Sequence, residues 1–190
     1  MFPFYQQNFT QLIIDTNGFI FFPSPTSYCC SSITRPIFSN VIAPYNVDLI
    51  TIRFGQVFYR SIDAPSPDLE TIQSEISLLL STSFTATNAF IITYSNVQSF
   101  EVSTDFASFQ IILSTNSAQS YVTINYGQCF STSFLDTITT EIDCLNSAIN
   151  MQINSIVNPC SSSNVNIIGK WIFNVSDQCK RKFLRSTVVK

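Results

Sequence analysis

Apolar residues along this chain recur mostly with a period of two or in short unbroken runs, the pattern of β-strands whose alternate side chains enter a core. On that reading strands fall near residues 11–14, 19–22, 38–43, 56–61, 88–95, 107–114, 120–126 and 170–175. Asn17-Gly18 stands between the first two and predicts a tight hairpin of type I′, whose central residues both need positive φ. Thr115-Asn116-Ser117 marks a second hairpin. Of the early aromatics Phe2, Phe4, Tyr5, Phe9, Phe19, Phe21 and Phe22, most are expected in the inner layer of a sandwich, with Phe9 and Phe22 facing outward. In the closing strand Trp171 and Phe173 share the inward face, and Ile172 points the other way, toward solvent or a helix.

One segment departs from this period. Between residues 66 and 81, Leu69, Ile72, Ile76, Leu79 and Leu80 fall at helical spacing. Ser66 suits the N-cap and Pro67 the first helical position, while Asp68 and Glu70 favour the positive end of the helix dipole. Residues 23–36 read as an irregular loop, and 131–159 show no clean periodicity. The fold class that follows is mainly β: an antiparallel, sandwich-like domain with one packed amphipathic helix, spanning residues 1–176. Residues 177–190 form a basic tail or the start of a following segment.

Charge changes the picture more than size does. Of nine basic residues, five lie in the last eleven positions, so residues 1–179 carry four basic against twelve acidic side chains, a net charge of about −8. An acidic body argues against a nucleic-acid groove, which needs clustered Lys and Arg to displace phosphate counterions. The chain has no histidine, which excludes Ser-His-Asp and Cys-His nucleophile systems. Its four glycines are isolated, so no phosphate-cradling loop exists. The acids Glu141 and Asp143 beside Cys144, and Asp63 and Asp68 about a Pro-Ser-Pro loop, read as solvated positions and a helix N-terminus. No catalytic residue, cofactor or metal is expected. No run approaches the ~20 apolar residues of a membrane helix.

Six cysteines, Cys29, Cys30, Cys129, Cys144, Cys160 and Cys179, lack the spacings of a zinc site and suit disulfides, which imply an oxidising compartment. Their pairing is open. At least two bridges are expected, drawn mainly from Cys129, Cys144, Cys160 and Cys179, for example Cys144 to Cys160; adjacent Cys29 and Cys30 take separate partners or stay free. Asn8-Phe9-Thr10 and Asn174-Val175-Ser176 are N-glycosylation acceptors, at Asn8 and Asn174. Asp48 and Arg60 lie inside apolar blocks, and a buried ion pair between them would fix strand register; the competing reading makes Asp48 an acidic ligand for calcium or a partner.

The ordered blocks FPFYQQNFTQLIIDTNGFIFF, VIAPYNVD, GQVFYRS, FTATNAFIITYSNV, FASFQIILSTNSAQSYVTINYG and GKWIFNV resemble the nidogen-like extracellular (NIDO) domain from Phe2 to about Val175. The family commonly carries Phe-Trp-x-Asp-x-Asp where this chain has Tyr45, Asn46, Asp48 and Ile50, and its Thr-Trp stands here as Thr93-Tyr94. Loss of the second acid weakens any metal site there, because hard cations want several oxygen ligands. The resemblance implies a non-enzymatic, secreted or ectodomain module of a larger multidomain protein. It would contact extracellular-matrix or cell-surface proteins in cell–matrix adhesion or matrix assembly. A carbohydrate-binding or glycosidase-like β-sandwich is the alternative. Met1-Phe-Pro-Phe shows no signal peptide, so the chain reads as truncated at its N-terminus.

Overall fold

The computed structural model describes residues 1–23, 40–51, 55–100, 104–131, 139–143, 151–153 and 159–177. In chain order these form β1 (Phe2–Phe4), β2 (Gln7–Phe9), β3 (Ile13–Ile14), β4 (Ile20–Phe21), β5 (Val41–Asn46), β6 (Leu49–Ile50), β7 (Gln56–Asp63) and α1 (Pro67–Leu79). They continue with β8 (Asn88–Ser99), β9 (Phe106–Thr115), β10 (Ser120–Tyr126), β11 (Thr139–Asp143), β12 (Met151–Ile153) and β13 (Lys170–Asn174). Most of the loop read at 23–36, with Cys29 and Cys30, lies outside the described residues, as do Cys144 and Cys179.

The strands are antiparallel and build two main sheets. One runs β13-β10-β9-β8, with β7 and β6 pairing successive stretches of the free side of β8; the other runs β12-β11-β5-β4-β3. Period-two alternation sorts the larger sheet into two faces. Ile92, Tyr94, Phe109, Ile111, Val122, Ile124, Trp171 and Phe173 enter the core between the sheets, together with Phe4, Ile20, Ile42 and Tyr45. Ala89, Ile91, Ile112, Tyr121 and Ile172 face the other way and receive α1 through Leu69, Ile72 and Ile76. In β8 the alternation would fail after Tyr94, but a bulge there, with Asn96 at φ 51°, shifts the phase so that Val97 again points inward.

The helix forms where its spacing placed it. Pro67 occupies the first helical position and Asp68 and Glu70 the first turn, although Ser66 at the N-cap makes no side-chain capping bond. Beyond its C-terminus the chain is tied back along it: Ser77 bonds both the amide and the carbonyl of Phe84, and Gln73 accepts the Ala86 amide at 3.0 Å.

Two expectations about the N-terminal segment need correction. Phe22 is buried, because β1 and β2 pair as a short hairpin that brings Phe2, Phe4 and Phe9 onto its ring at 5.6, 4.8 and 4.9 Å. Pro3 and the polar Gln6-Gln7-Asn8 run had masked that hairpin. Nor is the turn at Asn17-Gly18 of type I′, since only Gly18 has positive φ. The loop is longer and closes with the Asp15 amide on the Phe19 carbonyl at 3.0 Å, while Asn17 turns outward to accept the Leu49 amide at 3.1 Å. Gly18 is required twice over there: it sits at φ 81°, and an added Cβ would lie 2.9 Å from Leu49 Cδ1. The hairpin between β9 and β10 matches its expectation, with Asn116 Oδ1 accepting the amides of Ala118 and Gln119. Its position at Thr115-Asn116-Ser117 was fixed by local hydrogen-bonding chemistry alone.

The closing strand shows how much one register carries. Trp171 and Phe173 stack with centroids 6.4 Å apart in the inter-sheet core, and Trp171 Nε1 donates to the Pro159 carbonyl at 2.9 Å. Ile172 packs on the helix side. Trp171→Ala removes the largest fully buried side chain and strands that carbonyl, so a loss of about 3–5 kcal/mol is expected. Chemical denaturation should show the shift, and a melt like that of the parent chain would contradict the packing.

Candidate interaction surface

Three buried tyrosine hydroxyls tie elements of the two sheets and their connections together. Tyr94 donates to the carbonyls of Asp15 and Phe19 at 2.6 and 3.2 Å, holding the β3–β4 loop down. Tyr126 donates to the Pro44 carbonyl at 2.9 Å. Tyr45 lies 3.1 Å from Cys160 Sγ and packs edge-on against Phe109, Tyr126 and Phe130. Burial, first, and nearby ionisable groups, second, push the phenols of Tyr45 and Tyr94 well above the usual tyrosine range. They stay neutral donors; this is a structural cluster, not a reactive one.

Cys160 itself is bonded to Cys129, 31 residues away. The illustrative Cys144–Cys160 bridge is therefore excluded, because Cys160 is taken. Sequence spacing favoured the nearer cysteine, but the β10-to-β13 passage brings residues 129 and 160 together beside Tyr45. A loop of this size corresponds to roughly 3–4 kcal/mol in the chain-entropy account.

The expected Asp48–Arg60 pair does not form. Arg60 projects from the helix side of β7 and meets Asp68, in the first turn of α1, at 2.7 Å, with both side chains more than half exposed. Asp48 is half-buried just before β6, where its carbonyl accepts the Phe100 amide at 2.9 Å. Sequence proximity to apolar blocks could not show that β7 is an edge strand, where a charge needs no burial. Among the described residues no group of three or more His, Cys, Asp or Glu side chains converges as a metal site would require. Several acids hold structural contacts instead: Asp105 accepts the amide and hydroxyl of Ser131 at 2.8 and 2.7 Å, and Glu75 pairs with Lys170.

Both glycosylation acceptors are exposed. Asn8 sits on β2 and Asn174 at the end of β13, where its Oδ1 accepts the Ser176 amide at 2.9 Å. The β1–β2 hairpin that carries Asn8 is joined to the chain just after Asn174 through the Tyr5 amide and the Val175 carbonyl at 2.7 Å. Among the described residues the exposed large apolar side chains are Met1, Phe58, Tyr59, Leu78, Phe100, Ile167 and Ile168. Phe58 and Tyr59 are the pair on regular structure that the sequence reading passed over, although two adjacent aromatics in a strand must leave one on each face.

A two-sheet antiparallel sandwich, braced by a helix on one outer face and stapled by a disulfide, is the framework these features define. The sequence profile of the nidogen-like domain (NIDO) matches residues 10–177, and the chain belongs to that family. Comparison with curated proteins and with solved structures returns no match. Tyr45 and Tyr94 meet on the ring of Phe109.

Two expectations follow. Below pH ~10 Tyr45 and Tyr94 are neutral whether folded or unfolded, so their contribution is complete; above it the unfolded chain releases protons that the folded chain keeps, and stability falls with rising pH. Tyr94→Phe should cost about 1–3 kcal/mol at neutral pH and lessen the alkaline decline by about 1.4 kcal/mol per pH unit, read from denaturation at several pH values. An unchanged slope would remove Tyr94 from the account. For the ion pair, a double-mutant cycle on Arg60 and Asp68 should give a coupling of no more than ~1 kcal/mol, as exposed pairs do, and the cycle on Arg60 and Asp48 should be additive.

Proposed function

We propose that this domain is a non-enzymatic extracellular module that engages extracellular-matrix or cell-surface proteins, as one part of a larger multidomain protein, in cell–matrix adhesion or matrix assembly. Membership in the nidogen-like family over residues 10–177 is the observation that carries this reading. The Cys129–Cys160 disulfide is consistent with passage through an oxidising compartment. Three of the twelve acids make contacts within the domain: Asp68 with Arg60, Glu75 with Lys170 and Asp105 with Ser131. The exposed positions of Asn8 and Asn174 are compatible with N-glycans on both.

The test is secretion of the chain from animal cells behind an added signal sequence, followed by binding to immobilised matrix proteins and to intact cells. Saturable binding that survives enzymatic removal of glycans from the ligands is expected. Binding only to free glycans, or none to matrix or cells, would overturn the reading. Mass spectrometry of the secreted chain should find glycans at Asn8 and Asn174, in addition to a Cys129–Cys160 linked peptide.

A further inference from the structure

The larger sheet ends in two edges, and the chain treats them differently. Along β13 side chains occupy the edge: Asn164 donates to the Ile172 carbonyl at 2.7 Å and accepts the Ile172 amide at 3.0 Å, and Ser163 donates to the Lys170 carbonyl at 2.7 Å. One carboxamide thus makes the bonds a neighbouring strand would make, and the edge is closed. Along β7 no such cover exists among the described residues. Its pairing with β8 is unbroken from Gln56↔Ser95 to Asp63↔Asn88, and the strand holds no proline, glycine or bulge to blunt the edge; its charges are Arg60, already paired with Asp68, and Asp63 at its end. Phe58 is 53% exposed and Tyr59 68%.

We propose that β7 is a homodimerisation edge, pairing antiparallel with β7 of a second copy about a two-fold axis through Tyr59. The strand is its own complement in this register. A two-fold axis perpendicular to the sheet keeps every residue on its own face, so opposed residues must both be odd- or both even-numbered. The even-numbered face is the helix side, carrying Phe58, Arg60 and Ile62; the odd-numbered face carries Val57 and Tyr59, with Tyr59 stacked on Phe90 at 5.9 Å. Centring the axis on Arg60 would oppose two guanidinium groups, which is unfavourable. Centring it on Phe58 shortens the ladder. Centring it on Tyr59 pairs the strand from Gln56 to Ile62, brings the two tyrosine rings together and sets each Arg60 against the partner's Phe58, a cation–π contact made twice. Asp68 already balances Arg60, so the seam holds no unpaired charge from it. This inference stands apart from the adhesion reading, which concerns other proteins.

The test is sedimentation equilibrium of the full chain over a concentration series, since one strand pair buries less than a standard interface of ~1,600 Å² and its association is weak. The parent chain should pass from monomer to dimer with concentration. Tyr59→Lys and Tyr59→Asp should each remain monomeric, and their equimolar mixture should dimerise, because opposite charges then meet on the axis. Tyr59→Ser should lose most of the association. The side chain is largely exposed, so the variants are expected to fold, with unchanged emission from buried Trp171 as the check. A parent chain monomeric at every concentration would overturn the proposal and leave the edge to a strand from another protein. Dimers unaffected in the charged variants, or a mixture no more associated than its parts, would overturn it equally.

Discussion

Phe109 holds the two sheets together. Tyr94 stacks flat on its ring at 4.5 Å from the neighbouring strand, and Tyr45 meets it edge-on at 5.1 Å from the opposite sheet. Each contact is worth about a kcal/mol beyond the area it buries. Their larger effect is positional, because tyrosine carries a hydroxyl that must find a partner once buried. Tyr94 finds it in the β3–β4 loop and Tyr126 in β5, so the sandwich is closed by directional bonds as well as by apolar contact. A phenylalanine or tryptophan at these places would fill the space without reaching the same carbonyls.

The disulfide belongs to the same assembly. Cys160 lies against Tyr45, and the neighbouring Pro159 carbonyl receives the Trp171 indole, so one bridge anchors the approach to the closing strand at the point where the aromatic cluster is densest. Gly169 completes that approach. Its φ of 75° and the 2.9 Å that would separate a Cβ from the Tyr126 carbonyl leave no room for a side chain. The buried polar side chains described above join elements, while the edge strand, the two acceptor asparagines, acids such as Asp63 and Glu70 and scattered apolar side chains face outward. That division suits a module that works by surface contact.

The sequence by itself determined the strand-rich class, the helix and its buried face, the β9–β10 hairpin and the two faces of the closing strand. These are local properties: a period of two or 3.6, a proline at a first helical position, an asparagine able to accept the amides of its own turn. It also carried the family, because six blocks stand in order along the chain. Tertiary structure decided the rest. Which cysteine met Cys160 depended on how the chain returned between β10 and β13, not on spacing. Arg60 was read as buried because its neighbours are apolar, yet an edge strand exposes both faces and gave it to Asp68 of the helix instead. The pattern of aromatics puts Phe22 outside, and only the folding-over of β1 and β2 buries it. In each case the deciding contact joins residues far apart in the chain, and periodicity, which compares a residue only with its near neighbours, holds no information about which distant surface will arrive.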